Sequence, residues 1–252
     1  MHKNYAAKIF TPICLGIFFF LAFCTTRLLN TGDIGWIERG DTAQQYLGWQ
    51  LFRISNWSFP VGLNPLFGAD LDTSIIYSDS IPLMAFVFKI LSPWLPPVFQ
   101  YFGVWLLLCF LLQALLSWKL LEIFTRQFST LIMGACLFIC SPIFLSRIGF
   151  HNNLSAHFLI LSALVLVFSK PESSPQSTIV RQLLWSILIT CSELTNFYFF
   201  LMISGMWLGN WLDTMSQANK RIAFVIFLPI NIFISLMIGW QAGYFVAGPS
   251  IS

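Results

Sequence analysis

Most of the side chains that could do chemistry in this chain lie in three segments, which apolar stretches separate. A carboxylate can take a proton from a hydroxyl group or hold a divalent cation, whereas a guanidinium or an imidazolium can bind a phosphate. Ionisable groups so close to apolar segments are costly to desolvate, and they therefore indicate function. The candidate site residues are Asp41, Gln45, Tyr77, Asp79, Arg147, His151 and Glu193.

Five of these residues also have a structural interpretation, and the sequence leaves both interpretations open. Asp41 and Asp79 each lie at the start of a predicted helix, where an aspartate commonly accepts hydrogen bonds from unpaired N–H groups. Arg147 can extend its charge to a membrane interface, while His151 and Glu193 can be hydrated residues of a loop and a turn.

Metal and cofactor chemistry has little support in the sequence. Asp70 and Asp72 have the spacing of a metal-binding pair, although aspartates in a loop rich in glycine and proline more often form turns. The chain has no zinc-protease, P-loop, serine-hydrolase or spaced-cysteine motif. No cofactor is evident, and a divalent cation at the acidic residues is the one alternative that stays open.

The composition indicates a membrane protein. Of the 252 residues, 57% are hydrophobic and only 9% are charged, and the mean hydropathy is +0.77. Because a soluble domain carries about 25% charged residues, this chain cannot cover a surface that faces water. The net charge is only +3 and there is no basic run, which excludes a nucleic-acid partner. The six cysteines lie in or beside apolar runs, and we interpret them as small apolar side chains.

Seven apolar segments are long enough, or nearly so, to cross a bilayer, which takes about 20 helical residues. The fifth and sixth come from one stretch of 31 residues, Gln182–Leu212. As a single helix this stretch would put Glu193 at the bilayer centre, so we predict two helices joined by a tight turn at 193–196. The first segment is interpreted as an uncleaved signal anchor. The predicted spans are 9–26, 98–118, 128–146, 154–169, 182–193, 197–212 and 222–240.

The charge distribution predicts a cytoplasmic N-terminus, because most of the Lys and Arg residues then fall inside and most of the Asp and Glu residues outside. The longest segment between spans, 29–97, is then extracytoplasmic. It contains a predicted amphipathic helix over 41–55 and a short apolar one over 80–91, which we interpret as interfacial or re-entrant rather than as an eighth span. The predicted fold is therefore an all-α membrane protein of about seven spans, forming one domain over 1–252.

The segment 40–53, GDTAQQYLGWQLFR, resembles the GD-x-x-Q-x-Y-x-x-W-x-x-F segment of an uncharacterised family of bacterial polytopic membrane proteins. The similarity continues through PVGLNP at 60–65, IYSDSIPL at 76–83, FQYFG at 99–103 and R-x-G-x-H at 147–151, and it covers most of 29–170. That family in turn resembles the N-terminal part of GT-C glycosyltransferases, membrane enzymes that use polyprenyl-phosphate-linked sugars.

The resemblance implies a role for each candidate residue. Asp41 would be the general base or would orient the acceptor hydroxyl, while Arg147 and His151 would hold the lipid phosphate. Asp79 and Glu193 would be secondary acidic groups, or ligands of a divalent cation. Further candidates for substrate contact are Gln45 and Tyr77.

We therefore expect a GT-C-like glycosyltransferase of the bacterial inner membrane, which transfers a sugar from a polyprenyl-phosphate donor on the extracytoplasmic face. Family members are longer than this chain, so an active enzyme and a vestigial, truncated copy are both open. An enzyme predicts that Asp41, Asp79, Arg147 and His151 converge on one outward-facing cleft. A non-catalytic protein of cell-envelope assembly would leave these residues scattered and solvated. A transporter or lipid flippase would place charges within the spans, which are nearly free of them.

Overall fold

The computed structural model describes residues 3–68, 73–169, 175–215 and 221–246. These residues form an all-helical protein without β-strands, apart from one isolated bridge between Leu63 and Ser74. The prediction of an all-α fold is confirmed. Within the described ranges the helices are α1 (Lys3–Phe23), α2 (Gly40–Ile54), α3 (Pro82–Leu91), α4 (Phe102–Glu122), α5 (Phe128–Ile139), α6 (Pro142–Leu145), α7 (Phe158–Phe168), α8 (Pro175–Glu193), α9 (Phe197–Met215) and α10 (Arg221–Ala242).

The helix boundaries agree with the turn predicted at 193–196. They divide the predicted span 128–146 into two helices. Helix α8 ends at Glu193 and α9 begins at Phe197, which confirms two helices joined by a tight turn. The segment 128–146, predicted as one span, contains α5 and then α6. Helix α6 begins at Pro142, whose missing N–H and bulky ring prevent α5 from continuing through it.

Two of the described helices are long and apolar enough to cross a membrane by themselves. They are α4, Phe102–Glu122, and the part of α10 from Val225 to Ala242. Half of the apolar window of α4 is buried within the protein, but only 17% of that of α10 is buried. Shorter apolar helices lie over 8–23, 82–94, 128–139 and 152–168.

The chain divides into two compact bodies, of which the first comprises Met1–Thr42 and Leu95–Phe168. Helix α4 is central in this body, and α1, α5 and α7 pack against it. A Cβ atom on Gly16 of α1 would lie 2.9 Å from the Cα of Leu111, so the absence of a side chain allows the two helices to approach closely. The ring centroids of Phe20 and Phe110 are 5.8 Å apart in an edge-to-face arrangement that fills this contact.

The second body comprises Ala43–Trp94 and Ser169–Ser252, and in it α8 packs against α9 and α10. The loop after α2 contacts the end of α10, where the N–H of Gly62 donates to the carbonyl of Gln241 at 2.7 Å. A Cβ atom on Gly62 would lie 2.1 Å from the carbonyl oxygen of Ala242, so this approach requires glycine. The N–H of Leu83 in α3 donates to the carbonyl of Leu194 at 2.7 Å. The loop after α2 is thus bonded to the end of α10, and the start of α3 is bonded to the turn between α8 and α9.

Candidate functional site

The first body brings two of the candidate residues into contact although they are far apart in the sequence. Atom Nε2 of His151 lies 3.4 Å from Oδ2 of Asp41, and the contact is an ion pair when the imidazole is protonated. The side chain of Asp41 is 61% exposed and that of His151 is 39% exposed, so a ligand can reach both. The pair therefore offers a carboxylate and an imidazole at one accessible place.

Asp41 lies in the first turn of α2, which begins at Gly40 with a φ of +60°. This backbone conformation favours glycine, because other residues clash there. The unpaired N–H groups of a helix N-terminus interact favourably with a nearby carboxylate such as that of Asp41. Among the described residues its carboxylate contacts His151 and makes no capping hydrogen bond, so the capping role left open by the sequence is not what the structure shows.

His151 is held by a tightly bonded loop against α4. Its N–H donates to the carbonyl of Arg147 at 3.0 Å. The buried Asn152 accepts twice, at its side chain from the N–H of Gly149 (3.1 Å) and at its carbonyl from the indole N–H of Trp105 (2.8 Å). Trp105 was not predicted as a functional residue. It lies in an apolar run of α4, and the local sequence does not distinguish a residue that anchors a loop from an ordinary core residue.

Arg147 begins the same turn, and it is partly exposed. Its guanidinium has no hydrogen-bond or ion-pair partner within the described part of the chain, so it is free to bind an anion. The first body thus supplies a carboxylate, an imidazole and a guanidinium from two segments, Asp41 from one and Arg147 and His151 from the other.

The second body holds a separate acidic pocket of about 380 Å³. Two of the candidate site residues, Asp79 and Glu193, line this pocket. Asp79 ends a 3₁₀ turn with a φ of +55°, and Glu193 ends α8. The pocket is lined by Ile76, Asp79, Pro82, Glu193, Thr195, Asn196, Phe197, Tyr198 and Tyr244.

Tyr244, which was not predicted from the sequence, connects the walls of this pocket. Its hydroxyl donates to the carbonyl of Glu193 at 2.9 Å, and its own carbonyl accepts from the hydroxyl of Tyr77 at 3.1 Å. Burial and the neighbouring acidic groups Glu193, Tyr77 and Asp79 raise the pKa of Tyr244, which therefore stays a hydrogen-bond donor.

Gln45 is packed inside the second body and does not line the acidic pocket. It is buried, and its carbonyl accepts from the hydroxyl of Ser80 at 2.6 Å. Asp70 and Asp72 lie outside the described residues. Within the described ranges no group of three or more His, Cys, Asp or Glu side chains is placed to hold a metal ion.

Residues 13–252 match the family model described as domain of unknown function DUF6311. The chain belongs to the DUF6311 family. This confirms the prediction of an uncharacterised family. No curated protein matches the chain, and no solved structure does.

The predicted site residues of this DUF6311 chain thus form two groups. Asp41, Arg147 and His151 belong to the first body, whereas Tyr77 and Asp79 belong to the second, together with Gln45 and Glu193. That all of them share a single cleft stays a prediction.

Proposed function

We propose that this chain is an integral membrane protein with about seven spans, a cytoplasmic N-terminus and an extracytoplasmic segment over 29–97. Each predicted span contains a described helix or most of one. Large apolar side chains on α10 are also more than half exposed, namely those of Val225, Ile226, Ile232, Phe233 and Leu236. Apolar area left in water costs about 25 cal/mol per Å², so lipid is the solvent that suits this surface.

Within that membrane frame we propose a GT-C-like glycosyltransferase of the bacterial inner membrane, acting on a polyprenyl-phosphate sugar. The contact between Asp41 and His151 is the observation that carries the proposal. It joins the two segments for which the family resemblance implies a catalytic and a phosphate-binding role, and it leaves both side chains accessible.

At the anomeric carbon the proposed reaction forms one bond and breaks one, while a proton passes from the acceptor hydroxyl to Asp41. The acceptor hydroxyl oxygen attacks the anomeric carbon while Asp41 takes its proton, as a general base does. The bond between that carbon and the phosphate oxygen breaks, and its electron pair leaves with the lipid phosphate. Arg147 and His151 stabilise the charge that develops on this leaving group. The contact with His151 also orients the carboxylate of Asp41.

A non-catalytic membrane protein of cell-envelope assembly is the second candidate function. The exposure of Asp41 and His151 favours it, because a solvated pair of this kind also occurs on surfaces without activity and contributes about 0–1 kcal/mol to stability.

The test is sugar transfer by the purified full chain in membranes, with a panel of polyprenyl-phosphate sugars as donors. We expect Asp41→Asn to lower the rate about 100-fold or more, since general acid–base catalysis contributes about 10²–10⁴-fold. The matched control is Glu38→Gln, because Glu38 is an exposed acid just before α2 and should leave the rate unchanged. Equal rates for the wild type and Asp41→Asn, or no transfer by the wild type with any donor, would favour the second candidate.

A further inference from the structure

We propose that the second body binds an amphiphile with an ammonium head and an aliphatic chain. The head occupies the acidic pocket, and the chain lies in an adjoining apolar groove between α9 and α10. The inference uses residues of the second body alone, so it does not depend on glycosyl transfer by Asp41.

The first argument is an unsatisfied carboxylate. Glu193 is only 5% exposed, and its Oε2 is buried without a hydrogen-bond partner in the described structure. Ser235 of α10 interacts with the carboxyl group, and Gly239 leaves room for it, because a Cβ atom there would lie 2.9 Å from Oε1. A buried acceptor that lacks a donor is costly, so a ligand that supplies a donor gains this energy on binding.

The second argument is the charge of the pocket. Among its nine described lining residues, Asp79 and Glu193 are acidic and none is basic. A pocket lined by two acidic groups and no basic one attracts a cation and repels a phosphate. Other polar groups of the wall are engaged: Oδ1 of Asn196 accepts from the N–H of Tyr198 at 2.9 Å, and the hydroxyl of Thr195 donates to the carbonyl of Cys191 at 2.7 Å.

Aromatic rings complete a surface suited to an organic cation. Phe197, Tyr198 and Tyr244 all line the pocket, and the ring centroids of Phe197 and Tyr244 are 5.9 Å apart. Ring faces attract ammonium groups, including quaternary ones. A neutral hydroxyl head could also bond to Glu193, but a hydrogen bond between ions is about twice as strong as one between neutral groups. The combination of acids and rings therefore favours ammonium.

The third argument is the groove beside the pocket, which accounts for the chain of the ligand. It has a volume of about 150 Å³ and shares Glu193, Phe197 and Tyr244 with the pocket. Its other lining residues are mostly apolar: Phe200, Ser235, Leu236, Gly239 and Phe245. An acidic pocket that shares a carboxylate with an apolar groove matches the two parts of an amphiphile.

The experiment uses three amphiphiles with the same photoreactive alkyl chain and a different head: ammonium, maltose or phosphate. The full chain is labelled in phosphatidylglycerol nanodiscs, which contain no ammonium lipid, and cross-links to α9 and α10 are quantified by mass spectrometry. We expect the ammonium probe to label the groove most strongly, and Glu193→Gln to lower this labelling about tenfold or more. Asp213→Asn is the matched control, because Asp213 is an exposed acid of α9 outside the pocket and should leave labelling unchanged.

Three outcomes would overturn the proposal. Equal labelling by all heads would show insertion of the chain alone, and strongest labelling by maltose would show a site for neutral sugars. Unchanged labelling in Glu193→Gln would show that the carboxylate does not recognise the head. If Glu193→Gln does not fold, Asp79→Asn replaces it, because asparagine tolerates the positive φ of this position. We expect Asp79→Asn to weaken labelling by the ammonium probe only, and no change would again overturn the proposal.

Discussion

Replacement of Lys89 by methionine should change how the stability of the protein depends on pH. Lys89 lies on α3 and is only 4% exposed. Its ammonium group lies 3.1 Å from the hydroxyl of Ser55, 3.9 Å from the ring centroid of Phe52 and 4.7 Å from that of Trp57. No carboxylate pairs with it among the described residues. Burial lowers the pKa of Lys89 from its ordinary value of 10.5 to about 8.

This change in pKa sets the magnitude of the effect. A drop from 10.5 to about 8 corresponds to at most about 3.4 kcal/mol for keeping the ammonium charged in the folded protein, and partial solvation of the ammonium reduces this cost. The hydrogen bond to Ser55 contributes about 1 kcal/mol in the opposite direction, and the two rings about 0.5–2 kcal/mol. We therefore expect Lys89→Met to raise the free energy of unfolding by about 1 kcal/mol near neutral pH.

The sign of the pH dependence follows from proton binding. Between about pH 8 and pH 10.5 the unfolded chain holds a proton at Lys89 that the folded protein has released, so the wild type becomes more stable as the pH rises. Below about pH 8 both states are protonated and the cost is constant. The advantage of Lys89→Met should therefore shrink as the pH rises, by at most about 3.4 kcal/mol.

The assay is denaturant unfolding in micelles, followed by tryptophan fluorescence over this pH range for the wild type and Lys89→Met. Lys119→Met is the matched control, because Lys119 is exposed on α4 and should show no such trend. A difference between the wild type and Lys89→Met that stays constant with pH would refute the reasoning. So would a loss of stability above about 1 kcal/mol near neutral pH, since the ammonium would then be held by favourable contacts.

Two further predictions concern packing in the first body. A Cβ atom on Gly103 would lie 1.7 Å from the carbonyl oxygen of Leu28, so Gly103→Ala should lower the free energy of unfolding by about 3 kcal/mol, measured by denaturant titration. Gly205→Ala is the control, because a Cβ atom on Gly205 would meet no atom within 4 Å and should not lower the free energy of unfolding. Similar losses of stability in both variants would contradict the close approach of Gly103 to Leu28. Trp105→Phe removes the hydrogen bond to the carbonyl of Asn152 and should cost about 1 kcal/mol. Amide exchange in the loop 147–155 should become faster, and unchanged protection would mean that the indole does not anchor this loop.

Much of the helical fold is predictable from the sequence because apolar runs and their interruptions are local signals. The division between α8 and α9 is predictable because one continuous membrane helix would bury Glu193 at its centre, and the helix bounds agree with this division. The helix break before Pro142 also has a local signal, the proline itself. It is missed because the segment 128–146 is uniformly hydrophobic and therefore resembles a single span.

The site residues are predictable by type, whereas their partners are not. The sequence contains the ionisable residues, yet the contact between Asp41 and His151 depends on how distant segments pack, which local periodicity does not encode. The same holds for the pocket around Glu193. Tyr244 and Gly239 carry no motif, and only the packing of α10 brings them to the carboxyl group.

In the proposed membrane layout, Asp41 lies outside the cytoplasm in a chain that crosses the membrane about seven times. Cysteine labelling in intact cells tests it directly, in a background in which the six native cysteines are replaced by alanine. We expect a membrane-impermeant maleimide to label Asp41→Cys from outside, and to label Gln127→Cys, in the exposed turn between α4 and α5, only after the cells are opened. Labelling of Asp41→Cys only in opened cells would contradict the membrane layout and, with it, the proposed glycosyl transfer.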